Sequence, residues 1–463
     1  MAERSAPILN PVVPSGPAAG PPSPFVTESL RVARASPWLL LERFQGQPRG
    51  FWGRGGGWVA HGGAVAEWIP AADEPDRMAA ARRWLAALSH RNGSDGGSEP
   101  RVFGGFSFSA HRSPDPRWAA FPAARFQVPR VELRTDGEAY RLIGRAALRE
   151  GDDDRAVRTA LRAELEGLEG LLAEEASATA PPADVPSPTV PGSEADHAAW
   201  VARVERALTA IRAGRFRKVV LARSLTLDRA RGVDALLATR RLYTPASEAR
   251  VFLFEPEPGV ALLGASPETL ARVHDGEAYA TAVAGSIRRG ADAHADRAQA
   301  ERLLSSEKDR REHDVVVQEV VEQLGAIGAD VREDDAPHVL TLPGIHHLET
   351  RIRARLPGTV TVLDLIERLH PTPAVCGQPR APALAFLERE EGFDRGWYGA
   401  PVGWLDARGN GVTAPALRCA LLEGDRCHLF AGAGIVEGSD PEREWDETQL
   451  KLETAARALG RAG

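Results

Sequence analysis

Short apolar runs separated by glycine- and proline-containing turns dominate the chain from residue 25 to about residue 148. Residues 57–60 and 102–108 are two such runs, and the segment Trp38 to Leu41 is interpreted as a third. This spacing is typical of antiparallel strands joined by tight turns. One helix is expected in this part of the chain, over residues 76–88. The pattern therefore predicts a mostly antiparallel sheet.

Helical periodicity opens the second half of the chain. Residues 195–211 carry apolar side chains at i, i+3, i+4 and i+7, which predicts an amphipathic helix. A long helix is predicted over residues 298–324, and its apolar stripe, extended towards the N-terminus, reaches Glu312 and then Asp309. Buried carboxylates require a partner or a metal ion, whereas an exposed helix start would leave both acids in solvent. The pattern alone leaves both interpretations open.

Two cationic side chains lie in otherwise apolar strands. Residues 216–223 form one predicted strand, on which Lys218 shares a face with apolar residues. Snorkelling at a sheet edge would accommodate this lysine without any function. Arg418 stands in the apolar run 416–422, where a guanidinium needs a carboxylate from the protein or from a ligand.

Small residues follow a predicted buried strand at residues 427–430. That strand is expected to end at the sequence Gly432-Ala433-Gly434, where small residues would expose backbone N–H groups to a bound group.

A charged helix is expected immediately after this glycine segment. Ser439 and Glu442 have the spacing of a capping box, and Pro441 suits the first helical position. The carboxylates of Glu444 and Glu447 share one face of that helix with the ammonium of Lys451. Such a face can hold a hard cation beside an anion, although a solvated, ion-paired helix face is the alternative.

Composition divides the chain into four parts. Residues 1–24 form a proline- and glycine-rich tail that is predicted to be disordered, and residues 181–194 form a linker. Between them, residues 25–180 are the β-rich N-terminal portion, and residues 195–463 carry the candidate chemistry.

The charge balance narrows the class of protein. A net charge of −7 without any basic run argues against nucleic-acid binding. Three cysteines without a CxxC pair fit a reducing cytoplasm. We expect no transmembrane segment, because no run of about 18 apolar residues occurs. We expect no signal peptide, because the N-terminus lacks the charged-then-apolar layout of one.

Eight motifs between about residue 200 and residue 451 together resemble the chorismate-utilising enzymes, which include isochorismate, salicylate, anthranilate and aminodeoxychorismate synthases. They occur in the family's order: FRKVVLAR, GASPE, AVAGSIRRG, the REH helix, HPTPAVCG, GWYGAPVGW, LRCA and FAGAGIVEGSDPEREWDETQLK. The resemblance implies an α/β (α+β) fold like that of anthranilate synthase component I. In such a fold, large and mostly antiparallel sheets surround a central active site, with helices packed outside.

The resemblance also implies roles for individual residues, by their positions in these motifs. It places the general base at Lys218 and the general acid at Glu268, for which an ordinary turn carboxylate is the alternative. Carboxylates for Mg²⁺ fall on Glu312 and Glu447, with Glu444 close by. Contacts with chorismate fall on Gly285, Ser286, His347, Tyr398, Arg418, Gly432 and Lys451.

Within this family, the sequence favours water as the nucleophile. Relatives that use ammonia carry glutamine where Lys218 stands, and aminodeoxychorismate enzymes place a nucleophilic lysine where this chain has Ala284. We therefore expect no glutamine amidotransferase subunit. Water would attack C2 while the C4 hydroxyl leaves, so Glu268 must hold a proton and Lys218 must accept one.

The expected product is isochorismate, for menaquinone or a catecholate siderophore. A salicylate synthase, which also eliminates pyruvate, and a catalytically silent chorismate-binding relative are the alternatives. A dinucleotide-binding oxidoreductase is disfavoured because Gly438 comes one residue too late for the GxGxxG fingerprint. We expect a cytoplasmic monomer.

Overall fold

The computed structural model describes residues 24–89, 99–110, 115–174, 192–228, 233–244, 246 and 248–459. Most of the predicted tail at 1–24 and of the predicted linker at 181–194 therefore lies outside the described residues.

Antiparallel strands dominate the described residues, as the alternating N-terminal pattern predicts. All of the pairings join them into one continuous sheet system. Its strands are β1 (Phe25–Val32), β2 (Arg49–Arg54), β3 (Gly57–Trp68), β4 (Arg101–Phe106), β5 (Ala124–Thr135), β6 (Tyr140–Ala147), β7 (Lys218–Asp228), β8 (Arg250–Glu257), β9 (Val260–Ser266), β10 (Ala271–His274), β11 (Glu277–Arg288), β12 (Asp330–Glu333), β13 (His338–Leu342), β14 (Ile345–Arg355), β15 (Gly377–Gln378), β16 (Pro401–Asp406), β17 (Gly411–Pro415), β18 (Cys419–Glu423) and β19 (Arg426–Val436).

Helices cover the outside of this sheet system. They are α1 (Pro37–Arg43), α2 (Arg77–Ser89), α3 (Asp154–Glu174), α4 (Glu194–Arg212), α5 (Ala235–Leu242), α6 (Ala293–Ser305), α7 (Glu307–Gly325), α8 (Val362–Leu369), α9 (Arg380–Glu390) and α10 (Pro441–Leu459). The apolar stripe of α7, through Val316 and Val320, packs into one core with α8 and strands β10, β11 and β14. Within the described residues, no helix is long and apolar enough to cross a membrane. The predicted α+β class, with mostly antiparallel sheet inside and helices outside, is confirmed.

Strands from the N-terminal portion pair directly with strands from residues 195–463. Strand β2 pairs with β8, where Phe51 lies opposite Leu253, and β4 pairs with β16, where Phe103 lies opposite Trp404. The N-terminal portion therefore extends the sheet that carries the candidate site.

Two predictions about helices are wrong. The run Trp38 to Leu41 belongs to helix α1, where Pro37 occupies a first-turn position. A short apolar run does not by itself separate a buried strand from a buried helix. The single helix predicted over residues 298–324 is two helices, because Ser306 has extended backbone angles and its side chain caps the second one.

The glycine segment also differs from the prediction. Strand β19 continues through Gly432 and Gly434 to Val436, paired with β7 along its whole length. The predicted capping box is wrong as well. Asp440 caps α10 by accepting from the N–H of Glu442 at 2.9 Å, whereas the Ser439 hydroxyl accepts from Val436 N–H at 3.2 Å.

Candidate active site

A cavity lies where strands β7, β11, β14 and β19 meet helices α7 and α10. Ten of the twelve predicted site residues line it: Glu268, Gly285, Ser286, Glu312, His347, Tyr398, Arg418, Gly432, Glu447 and Lys451. The other two, Lys218 and Glu444, are buried and do not line it: Lys218 contacts Glu312 of the lining, and Glu444 contacts Lys308.

Lys218 is a fully buried side chain at the first position of β7. Its Nζ lies 3.1 Å from Oε1 of Glu312, which faces the cavity from α7. Gly434 on the paired strand permits this contact, because a Cβ there would lie 2.2 Å from Glu312 Oε1 and 3.1 Å from Lys218 Cε. The glycine thus makes room for the lysine–glutamate pair.

Glu268 follows strand β9 and is 2% exposed. Its Oε1 has no hydrogen-bond partner among the described residues. Burial raises the pKa of Glu268 to about 8, the nearby Lys218 charge lowers it, and the charge of Glu349 raises it further. At neutral pH this carboxyl is therefore mostly protonated.

His347 and Arg418 form a hydrogen-bonded pair in the wall of the cavity. Arg418 donates to Nε2 of His347 at 2.7 Å. A guanidinium has no acceptor, so Nε2 is the unprotonated nitrogen, and Nδ1 carries the proton that it donates to the Gly285 carbonyl at 3.1 Å. Nδ1 also lies 3.0 Å from the Ser286 hydroxyl. Burial first, and then the charges of Arg418 and Lys451, hold the pKa of His347 well below its usual range.

Arg418 differs from its predicted place inside a strand. It lies between β17 and β18 with a φ of 49°, a left-handed conformation that is unusual for a residue with a side chain. The side chain of Arg418 lines the cavity from this position. Strain of this kind is typical of functional sites.

A second cation reaches the cavity from α10. Lys451 Nζ donates to the Gly432 carbonyl at 2.8 Å and to Glu447 Oε1 at 2.6 Å. Burial would raise the pKa of Glu447, but the charge of Lys451 and its hydrogen bond keep it below the usual value.

The three predicted metal carboxylates are each paired with a lysine. Glu312 contacts Lys218, Glu447 contacts Lys451, and Glu444 accepts from Lys308 at 2.6 Å. Burial and the neighbouring Glu447 charge raise the pKa of Glu444 to about 7, which indicates that carboxylates are crowded here. In the described part of the chain, no three His, Cys, Asp or Glu side chains are grouped closely enough to hold a metal ion. The donors are nevertheless all carboxylate oxygens, the ligand type that Mg²⁺ prefers.

The sequence analysis missed Arg395, a buried cation in the cavity wall. Its guanidinium pairs with Glu391 and donates to the carbonyls of Val375 at 2.6 Å and Val220 at 2.7 Å. Glu391 in turn accepts from the N–H of Ala222 at 2.8 Å. Strand β15 pairs with only the first two residues of β7. The side chains of Arg395 and Glu391 form hydrogen bonds with the backbone of the residues that follow, and so stabilise the strand that carries Lys218.

Comparisons with known proteins identify the family of this chain. The family model described as chorismate binding enzyme matches residues 19–460. The salicylate biosynthesis isochorismate synthase of Pseudomonas aeruginosa is 38% identical over 379 residues, covering 80% of this chain and 76% of that protein. Isochorismate synthase MenF of Bacillus subtilis is 36% identical over 365 residues, covering 78% of this chain and 75% of that protein.

Solved structures show the same architecture. The menaquinone-specific isochorismate synthase MenF of Escherichia coli superposes with a TM-score of 0.74 at 26% identity, covering 95% of this chain and 96% of that one. Anthranilate synthase component I of Streptococcus pneumoniae, at 20% identity, shares the fold with a TM-score of 0.65, covering 98% of this chain and 95% of that one. With a family match over almost its whole length and a buried acid and amine at one cavity, the chain belongs to the chorismate-binding enzyme family.

Proposed function

We propose that this chain is an isochorismate synthase, which converts chorismate to isochorismate by adding water at C2 and removing the C4 hydroxyl. The observation that carries the proposal is a mostly protonated buried acid, Glu268, in the lining of the cavity, together with a buried amine, Lys218, that contacts Glu312 of the same lining. The relatives from P. aeruginosa and B. subtilis are both named isochorismate synthases, which supports the same reaction.

Two cations are available for the carboxylates of chorismate. Arg418 is held by His347, and Lys451 is held by the Gly432 carbonyl, so both are oriented before the substrate binds. Charge-assisted hydrogen bonds from an oriented guanidinium bind a carboxylate strongly and in a defined direction. Tyr398 lies beside the Gly432 backbone and completes this wall of the cavity.

The acidic side chains Glu312, Glu444 and Glu447 would hold Mg²⁺. Their donor chemistry fits this ion, and the crowding that raises the pKa of Glu444 would be relieved by a divalent cation. To bind it, the carboxylates must turn away from their lysine partners. Bound Mg²⁺ would neutralise and orient the ring carboxylate of chorismate.

Lys218 and Glu268 each carry out one of the two proton transfers of the reaction. Lys218, as the neutral amine, accepts a proton from the attacking water. Glu268 donates its proton to the departing C4 hydroxyl, because hydroxide itself is a poor leaving group. A positioned acid or base of this kind contributes about 10²–10⁴ in rate.

The product assay separates this proposal from its alternatives. Purified protein is incubated with chorismate and Mg²⁺, and the products are resolved by chromatography, with a chelator-treated sample as control. Isochorismate as the only product supports the proposal. Salicylate with pyruvate supports a salicylate synthase, and tight chorismate binding without turnover supports a silent relative.

The cellular setting is proposed with the reaction. Isochorismate would supply menaquinone or catecholate siderophore synthesis in the cytoplasm. The chain would act as a monomer without a glutamine amidotransferase subunit, because water rather than ammonia is the nucleophile.

A further inference from the structure

Glu349 is a fully buried acid beside the cavity, and the proposed reaction does not use it. It lies on β14 directly opposite Val283 of β11, so the two side chains share one face of the sheet. His347 lies two residues earlier on the same strand and therefore on the same face. Both Val283 and His347 line the cavity. Glu349 thus sits in the layer immediately beside the proposed active site.

One oxygen of Glu349 is bound and the other is free. Oε2 lies 2.8 Å from Nε2 of His338 and 3.5 Å from Nε of Arg351. Oε1 has no hydrogen-bond partner in the described part of the chain, and neither has Oε1 of Glu268. Both carboxyl groups are buried, at 0% and 2% exposure. Unpaired buried carboxyl oxygens are costly, so their presence in both acids suggests a function.

The charge of Glu349 shifts the pKa values of two other groups. It raises the pKa of Glu268. The two acids also flank the same stretch of β11, because Thr269, the residue after Glu268, exchanges hydrogen bonds with Thr281 of β11, two residues before Val283. The charge of Glu349 also contributes to the raised pKa of Tyr279 on β11, after burial of that phenol.

His338 connects this buried pair to the surface. It lies opposite Glu349 on the neighbouring strand β13, and its side chain is 37% exposed. On its outer side, Nδ1 lies 3.9 Å from Asp334, which is itself partly exposed. Imidazole is the side chain whose ordinary chemistry best suits proton exchange near neutral pH.

We propose that Glu349 and His338 form a proton-return path that reloads Glu268 from solvent after each turnover. The inference rests on the proposed function, in which Glu268 loses its proton to the departing hydroxyl. Protonated His338 gives its Nε2 proton to Glu349, and Glu349 gives a proton from Oε1 to Glu268, directly or through one water molecule. His338 then takes a proton from solvent, and Lys218 releases the proton it gained from the attacking water. The cycle therefore neither creates nor consumes protons.

The path addresses a problem that the burial of Glu268 creates. The acid is 2% exposed and lines the cavity, so a bound substrate or product would separate it from bulk water. A route through the sheet would allow the acid to be reloaded while the cavity is occupied. Glu349 and His338 are thus positioning and relay residues, whereas Glu268 touches the reacting atoms.

Chemical rescue tests the path. The His338→Ala variant is assayed for isochorismate formation in dilute buffer, and again with added imidazole as a soluble proton carrier. We expect kcat to fall on the order of tenfold, a part of the 10²–10⁴ that an acid–base group contributes, and to recover with imidazole. Glu349→Gln should show a similar fall without recovery, because imidazole cannot replace a fully buried carboxyl.

Arg351→Gln is the matched control. It removes the other cation near Glu349, but arginine does not release its proton in proteins, so kcat should stay close to wild type. A His338→Ala variant with unchanged kcat in dilute buffer, or a loss that imidazole does not restore, overturns the path while leaving the proposed function intact. A wild-type protein that does not convert chorismate overturns both.

Discussion

The alkaline limb of the pH–rate profile should report the proton on Glu268. In the free protein, burial raises the pKa of this carboxyl to about 8, and the charge of Glu349 adds to the rise. The reaction needs the protonated form, because the C4 hydroxyl leaves as water. We therefore expect kcat/KM for chorismate to fall as Glu268 ionises.

The size of the effect follows from the pKa. With a pKa of about 8, about ten of every eleven Glu268 side chains hold their proton at pH 7, and about one of every eleven does at pH 9. Above pH 8, kcat/KM should fall by about tenfold for each pH unit. An ordinary glutamate, with its pKa near 4.5, would already be ionised at pH 7 and would give no such limb.

The assay is initial-rate formation of isochorismate across this pH range, for wild type and two variants. Glu268→Gln should lose about 10²–10⁴ in kcat/KM together with the limb. Glu349→Gln should move the limb to lower pH, because a charge that raises the pKa of Glu268 is removed. A limb that persists in Glu268→Gln, or a wild-type profile that is flat up to pH 9, would refute the assignment of the acid.

Three further measurements probe the base, the substrate wall and the stability of the site. Lys218→Gln should lower kcat by about 10²–10⁴ with a smaller effect on KM, and undiminished water addition in this variant would show that Lys218 is not the base. His347→Leu should raise KM for chorismate by about tenfold or more, because Arg418 loses its acceptor, and an unchanged KM would contradict the role of this pair. Arg395→Met should destabilise the protein by about 3–5 kcal/mol in urea unfolding, because Glu391 is left buried and unpaired. The exposed pair of Arg206 with Glu390 is the control, since Arg206→Met should cost about 1 kcal/mol or less.

The raised pKa of Glu268 also predicts how the stability of the protein depends on pH. Its value of about 8 in the folded chain exceeds the ordinary 4.5, so the folded state keeps a proton that the unfolded state releases. Stability from this group is complete below about pH 4.5, falls as the pH rises, and is lost once the pH passes about 8. The melting temperature of Glu268→Gln minus that of wild type should therefore be larger at pH 9 than at pH 5. A melting difference that does not change between these pH values would contradict the raised pKa.

Local features of the site could be predicted from the sequence. Lys451 lies four residues after Glu447, and the structure shows the two side chains in contact at 2.6 Å on one helix face. Glu312 is buried at the end of the α7 stripe, which is one of the two interpretations that the extended periodicity left open. In both cases a regular helix fixes the relation between residues that are close in sequence.

Contacts between distant segments could not be predicted in this way. Lys308 and Glu444 are separated by 136 positions, and only the tertiary fold, in which α7 and α10 both pack against β11, brings them together. The Arg395–Glu391 pair binds backbone groups of β7 and of the segment around Val375, which no periodicity connects. The sequence analysis also treated Gly434 as a source of exposed backbone, whereas its role is to admit the side chains of two residues from other elements.

Helix ends were the other source of error. Ser306 interrupts a stretch whose apolar spacing continues across it, so periodicity alone joined α6 and α7. At α10, Ser439 and Asp440 are both good capping residues, and the backbone path after β19 decides in favour of Asp440. Such choices depend on where neighbouring elements lead the chain.

The most direct test of the account follows the oxygen of the attacking water. Chorismate is converted by the purified protein in water enriched in the heavy oxygen isotope, and the product is analysed by mass spectrometry. The account predicts isochorismate that carries the heavy isotope in its C2 hydroxyl. Isochorismate with an unlabelled C2 hydroxyl would contradict attack by water, and a different product would contradict the proposed reaction itself.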